Sequence, residues 1–389
     1  MKRLSLKITA LCTMAIIVAC GGDDMPVNSP EAVGGTQEQM PVAFTIGERQ
    51  GDENANTRAG FQGEMTTQML RSTGFGVFAK VNGGSGFDFM TNQYVYYSGS
   101  WGYRPLKYWP NYDSKISFFA YAPHITSSEV PYSNETTALA NAVTDGKYGI
   151  LSLPTNSSTE AKIAYRVAAS PMESVDLMYG VAAHAYNSTT NAPGVEASSV
   201  TAGMPFINMT KQLTGSALTF WFGHALTGLV AYVAVEAENT IDWVRTRVVI
   251  EDLTLSSNGQ KLYTLGVLNL NNTAAYKPRW EDLSGPVTSL ADFIDPRMRY
   301  VSGGTFGSQP AMGVSLAPKS LFGQGIDGTS DARMMFIPGP ADGLVTFTVK
   351  YHVVKADGTD TELVSSATPE ITFIPGQTVV LSMHLLVPT

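Results

Sequence analysis

The stretch Val345-Thr346-Phe347-Thr348-Val349-Lys350-Tyr351-His352-Val353-Val354 puts an apolar residue at every second position. Successive side chains of a strand point to opposite faces, so a period of two predicts one buried face and one mostly wet face. The end of the chain repeats the pattern: Val379, Leu381, Met383, Leu385 and Val387 share one face, Thr378, Ser382 and His384 the other. Ile116–Tyr121, Leu218–Phe222 and Leu229–Val235 are denser apolar runs, as in strands covered on both faces. Between such phrases lie clusters of Gly, Asn, Ser and Pro, the punctuation of sandwiches and barrels. No amphipathic helix of three turns stands out with capping signals, and no short strict repeat points to a solenoid or propeller. The expected class is all-β.

The chain has 389 residues, a length that suggests two domains or three small ones. The polar stretch Asn187–Ala202 (NSTTNAPGVEASSVTA) is the best place for a boundary. It predicts an N-terminal sandwich over residues 40–202 and a C-terminal one over 203–389, each large enough to hold its own core. Segments 122–162 and 271–332 read as loop-rich. With 25 Lys+Arg against 33 Asp+Glu the formal charge is −8, the wrong sign for the basic footprint that nucleic acid demands.

Residues 1–19 read as a secretory signal, with Lys2, Arg3 and Lys7 ahead of an apolar stretch from Ile8 to Ala19. That stretch is too short for a membrane span, which needs roughly 20 apolar residues. It ends in Ile17-Val18-Ala19-Cys20, which resembles a bacterial lipobox, so Cys20 is the expected lipid-bearing residue at the start of the mature chain. Several acyl chains on one cysteine anchor stably. Cys12 lies in the discarded segment, which leaves no thiol for a disulfide or a metal site. Residues 20–39, rich in Gly, Asp, Pro, Asn, Ser, Glu and Gln, form a tether with almost nothing to bury.

Motifs of chemistry are sparse. Gly323-Gln324-Gly325-Ile326-Asp327-Gly328 fits GxGxxG, but a strand-like Met334–Ile337 follows where a dinucleotide site needs a helix. Asp52, Asn54 and Asn56 open like an EF-hand loop, yet Thr57 and Gly63 stand where Gly and Glu are required. His124, His184, His224, His352 and His384 are scattered, and there is neither a nucleophile elbow nor a P-loop. His224, between two apolar runs, reads as a hydrogen-bonded structural group. Trp101, Tyr103, Tyr108 and Trp109 cluster in sequence. Core packing is the first reading of them, and stacking on a sugar ring by Trp101, Tyr103 and Trp109 the second. Neither an enzyme, a cofactor nor a metal is expected.

Several phrases together resemble the fimbrillin family, above all its Mfa-like branch, pilin-type lipoproteins of Gram-negative anaerobes of the mouth and gut. They are Thr57-Arg58-Ala59, Gly76-Val77-Phe78-Ala79, Lys107-Tyr108-Trp109-Pro110 and Ile116-Ser117-Phe118-Phe119-Ala120-Tyr121-Ala122-Pro123. Further on come Val175-Asp176-Leu177-Met178-Tyr179, Phe222-Gly223-His224-Ala225-Leu226-Thr227, Phe336-Ile337-Pro338 and Phe373-Ile374-Pro375-Gly376-Gln377.

The resemblance implies two transthyretin-like antiparallel β-sandwich domains in tandem. It implies export to the outer-membrane surface as a lipoprotein, which Asp23-Asp24 after Cys20 also suits, then trimming by an arginine-specific protease and assembly into fimbriae by strand exchange. Arg58 is the expected cut, standing in the Thr-Arg-Ala context at the end of the polar run 48–57, with Arg49 as the alternative. The segment removed carries a first strand, Pro41–Gly47, and the face Val379, Leu381, Met383, Leu385 and Val387 is the expected donor to a neighbour. The partners implied are other fimbrial subunits, the protease, the membrane lipid and a host or bacterial surface receptor. The competing reading is a monomeric surface lipoprotein that binds glycans.

Overall fold

A computed structural model describes residues 40–47, 65–110, 114–187, 199–210, 217–237, 242, 244–257, 259, 261–299, 319–323, 332–340 and 343–387. Strand β1 (Phe44–Ile46) is followed by helix α1 (Thr67–Thr73), β2 (Phe75–Val81), β3 (Met90–Tyr97), β4 (Trp101–Gly102) and β5 (Ile116–Ala122). Helix α2 (Glu135–Asn141) precedes β6 (Gly149–Ser152), β7 (Lys162–Arg166), β8 (Met178–Ala182), β9 (Tyr186–Asn187), β10 (Ser199–Val200), β11 (Phe206–Met209) and β12 (Leu218–His224). The strands continue as β13 (Thr227–Ala237), β14 (Thr246–Ser257), β15 (Leu262–Asn269), β16 (Arg279–Pro286), β17 (Lys319–Ser320) and β18 (Met334–Pro338). The last three are β19 (Val345–Lys355), β20 (Asp360–Ala367) and β21 (Thr378–Val387). The class is all-β, and the two α-helices among the described residues are each two turns long.

The first sheet runs β1-β12-β8-β5-β2-β3-β4, with β11 beside β8 on the same edge of β5. Every residue of β5 is buried, because the sheet has a core on each face. Phe75, Val77, Ala79, Phe118, Ala120, Phe220 and Phe222 face one core, under β1 and Leu70 of α1. Phe78, Phe119, Tyr121, Tyr179 and Val181 face the other. Gly76 shows how tightly the strands meet, since a Cβ there would stand 2.2 Å from the Tyr121 ring.

The second sheet runs β17-β13-β18-β15-β7-β6, with β16 added to β15 and β21 to β13, and the third is β14-β19-β20. These two sheets supply the rest of the larger core: Leu229 and Val233 from β13, Ile250 and Leu253 from β14, Phe347 and Tyr351 from β19, Leu381 and Leu385 from β21. The strand β19 buries Val345, Phe347, Val349, Tyr351 and Val353 in strict alternation, as its sequence predicts.

Three features go beyond the sequence reading. Pairing is antiparallel except at β1 on β12 and β21 on β13, which are parallel. Both come from distant parts of the chain, and only a long connection allows a parallel neighbour. Sheet membership also does not follow a division at 202–203: β11 and β12 extend the first sheet beyond it, while β6 and β7 join the second. By its internal contacts Gln39–Thr389 is one compact unit. Finally, segment 122–162 holds α2, capped by the Asn134 side chain accepting from the Thr137 N–H at 2.9 Å, and the edge strand β6.

Candidate functional site: the two ends of the folded chain

The first strand is a seam. On one side Leu218 N–H donates to Ala43 O at 2.8 Å and Gly47 N–H to Phe220 O at 2.9 Å. On the other, Val42 N–H donates to Lys107 O at 2.9 Å and Trp109 N–H to Met40 O at 3.0 Å, with Pro41 bridged to Tyr108. The segment thus joins the β12 edge of the first sheet to the stretch after β4 and closes it. Alternate residues Met40, Val42, Phe44 and Ile46 face the core, Val42 and Phe44 fully buried. The Phe44 ring lies 5.5 Å from Tyr103, 5.7 Å from Phe118 and 5.9 Å from Phe220, aromatic contacts that add to its burial.

This seam decides the aromatic cluster. Tyr103 and Trp109 are buried, the Tyr103 hydroxyl donating to Val42 O at 2.8 Å and Trp109 packing edge-on to Phe118 at 5.8 Å. Burial pushes the Tyr103 hydroxyl pKa up. Neither ring offers a face to a sugar, and half-buried Trp101 packs on Phe75 at 5.2 Å and Tyr97 at 5.3 Å. Tyr103 and Trp109 thus follow the first reading of the cluster, core packing around β1, and Trp101 packs beside them half-buried.

The last strand is docked at home. β21 lies parallel to β13 in unbroken register from Gly228↔Thr378 to Ala237↔Val387. Leu381, Leu385 and Val387 are buried, and Val379 and Met383 are partly so. At its base Gly228 N–H donates to Gln377 O and Gly376 N–H to Leu226 O, both at 2.8 Å. The buried Arg333 guanidinium donates to the Thr378 hydroxyl beside Gly228. The sequence alone does not show where this strand lies; the structure gives it a partner within the same chain, β13.

Between the two ends sits a buried carboxylate. Asp176 Oδ2 accepts from the Met65 N–H at 2.7 Å and lies 2.6 Å from His224 Nδ1, with the Asp176 side chain fully buried. Met65 is the first described residue after segment 48–64. The His224 ring in turn packs where a Cβ on Gly376 would stand 3.4 Å away, and Gly376 has φ +75°. The phrases around Asp176, His224 and Gly376 therefore meet in space, and Thr227, at the end of the second, pairs with Phe336 of a fourth. Sequence reasoning placed His224 but missed Asp176, whose signal was a lone acid inside the apolar run Val175–Tyr179.

The outer face of the third sheet carries the other notable cluster. His352 Nδ1 lies 2.9 Å from Asp360 and its Nε2 3.0 Å from Glu251; Lys350 Nζ lies 2.9 Å from Glu251 and 3.0 Å from Glu362. Hydrogen bonds to Asp360 and Glu251 push the His352 pKa up, and those from Lys350 and His352 pull Glu251 down. Ligand atoms of Glu251, His352 and Glu362 fall within 4.8 Å of one another. The Lys350 ammonium already bridges both of those glutamates, so the arrangement works as an ion-pair network. His124 stacks on Tyr94 at 4.4 Å, its pKa lowered by burial. Cys20, Arg49 and Arg58, the signal and tether, the loop of Asp52, and all of the Gly323–Gly328 motif beyond Gly323 lie outside the described residues. Among those residues no helix is long and apolar enough to cross a membrane.

No protein-family model matches the chain. A curated relative, the fimbrium subunit Fim1C of Phocaeicola vulgatus, is 41% identical over 78 residues, which cover 17% of this chain and 21% of the relative. The match thus spans about one fifth of that protein's length. Among solved structures, a fimbrial protein from Bacteroides vulgatus is similar over 89% of this chain and 95% of its own, with 21% identity and a TM-score of 0.49. A fimbrial protein from Bacteroides ovatus is similar over 90% of this chain and 50% of its own, with 10% identity and a TM-score of 0.30.

Proposed function

We propose that this chain, which resembles the fimbrillin family and part of a fimbrium subunit, is itself a fimbrial subunit, structural and adhesive rather than enzymatic. It reaches the cell surface as a lipoprotein on Cys20, and a cut after Arg58 releases lipid, tether and β1 together. The emptied seam then takes a strand from a neighbouring subunit by β-augmentation.

One observation carries the reading: β1 is held as a short parallel insert whose alternate side chains Met40, Val42, Phe44 and Ile46 fill the core between two sheet edges. Its loss bares the outer edge of β12 and the 107–109 segment, a condition proteins normally avoid. The face Val379, Leu381, Met383, Leu385 and Val387 has the same period of two. Burial of five such side chains is worth roughly 7–15 kcal/mol gross, and the trans site must match what β21 gives up on β13. Exchange is therefore near balance in energy and is driven by the opened seam.

The test is to treat purified uncut chain with an arginine-specific protease and follow size by gel filtration and electron microscopy. Trimming after Arg58 should yield filaments or oligomers well beyond the size of the uncut chain, and Arg58→Ala should form none. Complete trimming that produces nothing larger than the uncut chain forms would rule out strand exchange.

A further inference from the structure

Strand β20 is an open edge. Among the described residues it pairs only with β19, from Phe347↔Ala367 to Val354↔Asp360, and its other backbone edge has no ladder. Among the described residues β21 likewise has a ladder on one side only, against β13, and β6 ends its sheet, while other edges are covered or broken. The outer side of β14 is occupied, Ile250 N–H donating to Arg299 O and Leu255 N–H to Thr288 O, both at 2.8 Å. β16 ends in Gly285-Pro286 and carries a register shift against β15. The first sheet closes through β1. β20 lacks most of the usual protections of an edge: its sequence DTELVSSA has no Lys, Pro or Gly, its register on β19 is unbroken, and its only charges are Asp360 and Glu362 in the first half.

The side chains point the same way. All of β20 except half-buried Leu363 is exposed, on both faces, although β19 beside it buries every second residue. The strand overhangs the core. Its faces are mainly Thr, Ser and Ala, which tolerate water on both sides, and the one large apolar group on its outer face, Val364, is 60% exposed. Its charge is lopsided: Asp360 and Glu362 occupy the first half, and Val364-Ser365-Ser366-Ala367 is uncharged. A parallel partner of the same sequence would set acid beside acid. An antiparallel one sets the acidic half of each strand against the neutral half of the other, the complementarity a two-fold pair requires.

We infer that β20 docks a second copy of this chain, the two β20 strands pairing antiparallel about a two-fold axis with Val364 opposite Val364. This register puts Glu362 opposite Ser366, gives each exposed valine an apolar cross-strand neighbour, and joins two third sheets into one of six strands. An edge contact of seven residues from each strand, 361–367, is small, at the weak end of interfaces. It gains strength when many copies are held in line, since each further contact is then intramolecular. The pairing is sideways and independent of β1, Arg58 and β21, so it can hold or fail whatever the outcome of protease trimming.

The experiment uses the uncut full chain. Directly opposed residues of an antiparallel pair have Cα atoms about 4.5–5.5 Å apart, within the span of a disulfide. Val364→Cys under mild oxidation should run as a covalent dimer on a non-reducing gel, and the wild type, a control for Cys12 and Cys20, should not. Sedimentation across a concentration series should show reversible dimerisation of the wild type, weakened roughly tenfold or more in Val364→Lys, a free-energy change of about 1.4 kcal/mol. Because residue 364 is exposed, circular dichroism and melting temperature should be unchanged in both variants. A wild type that sediments as monomer throughout and a Val364→Cys chain that does not cross-link would overturn the inference. So would cross-linking that is stronger from Leu363→Cys or Ser365→Cys, which would mean another register or partner strand.

Discussion

At the scale of single residues, Asp176 and His224 form the most consequential pair. A fully buried carboxylate is costly unless its hydrogen bonds are made; Asp176 makes two on Oδ2, to Met65 and His224, while its buried Oδ1 has none among the described residues. His224→Asn should lower stability by about 1–3 kcal/mol, the cost of a lost buried bond to a charged group, measured by urea denaturation. An unchanged midpoint would mean that the pair contributes nothing. His352 makes a different prediction. Its pKa is raised by Asp360 and then Glu251, with Lys350 and Glu362 the other charged groups on that face. A raised folded pKa means the stabilisation is complete below the unfolded value of about 6.5 and is lost as pH rises through the folded value. The difference in melting temperature between wild type and His352→Gln should therefore be larger at acid pH than in mild alkali. A difference independent of pH, or one growing with pH, would contradict this.

At the scale of elements, β1 and β21 are parallel strands laid on existing edges, and each is fixed by a tight junction. Gly228 lies where a Cβ would stand 2.3 Å from the Arg333 side chain and 2.7 Å from the Thr378 hydroxyl. Arg333 is buried and its guanidinium is bonded to Thr378, so neither can yield freely. Gly228→Ala should cost about 1–3 kcal/mol through overpacking and raise hydrogen exchange along β21 before the rest of the second sheet. The counterpart in β1 is Phe44. Phe44→Ala should destabilise the uncut chain by about 3–5 kcal/mol. Once trimming has removed the segment, variant and wild type should melt together. Persistence of the difference after the cut would show that β1 stays bound.

At the scale of the whole molecule, the two ends of the fold are linked through the middle. Met65, just beyond the segment that contains Arg58, is held by Asp176, and Asp176 holds His224 against Gly376 at the base of β21. The contacts at the start of the seam and at the base of β21 are thus neighbours. A synthetic peptide of residues 378–389 should bind trimmed chain, read by fluorescence anisotropy, and leave uncut chain alone, because β1 fills the only slot the proposal provides. Equal binding to both forms would mean that the peptide uses another edge, and β20 is the first to check.

The class and much of the strand pattern were legible in the residues themselves. The alternation of β19, the two-sided burial of β5 and the apolar face of β21 all follow from a local period, because a strand's own geometry decides which side chains share a face. The short helices escaped notice because two turns leave too little periodicity, although Thr66 and Asn134 supplied caps. What the sequence could not specify was pairing. Nothing local says that β7 joins β15, that β12 completes the first sheet beyond residue 203, or that Trp109 turns inward against Phe118. Those outcomes depend on which distant edges and faces meet. The same holds for Asp176 and His224, 48 residues apart in sequence and 2.6 Å apart in space. Local chemistry determined the strands; long-range packing decided their neighbours, and so decided that β1 and β21 lie parallel along edges.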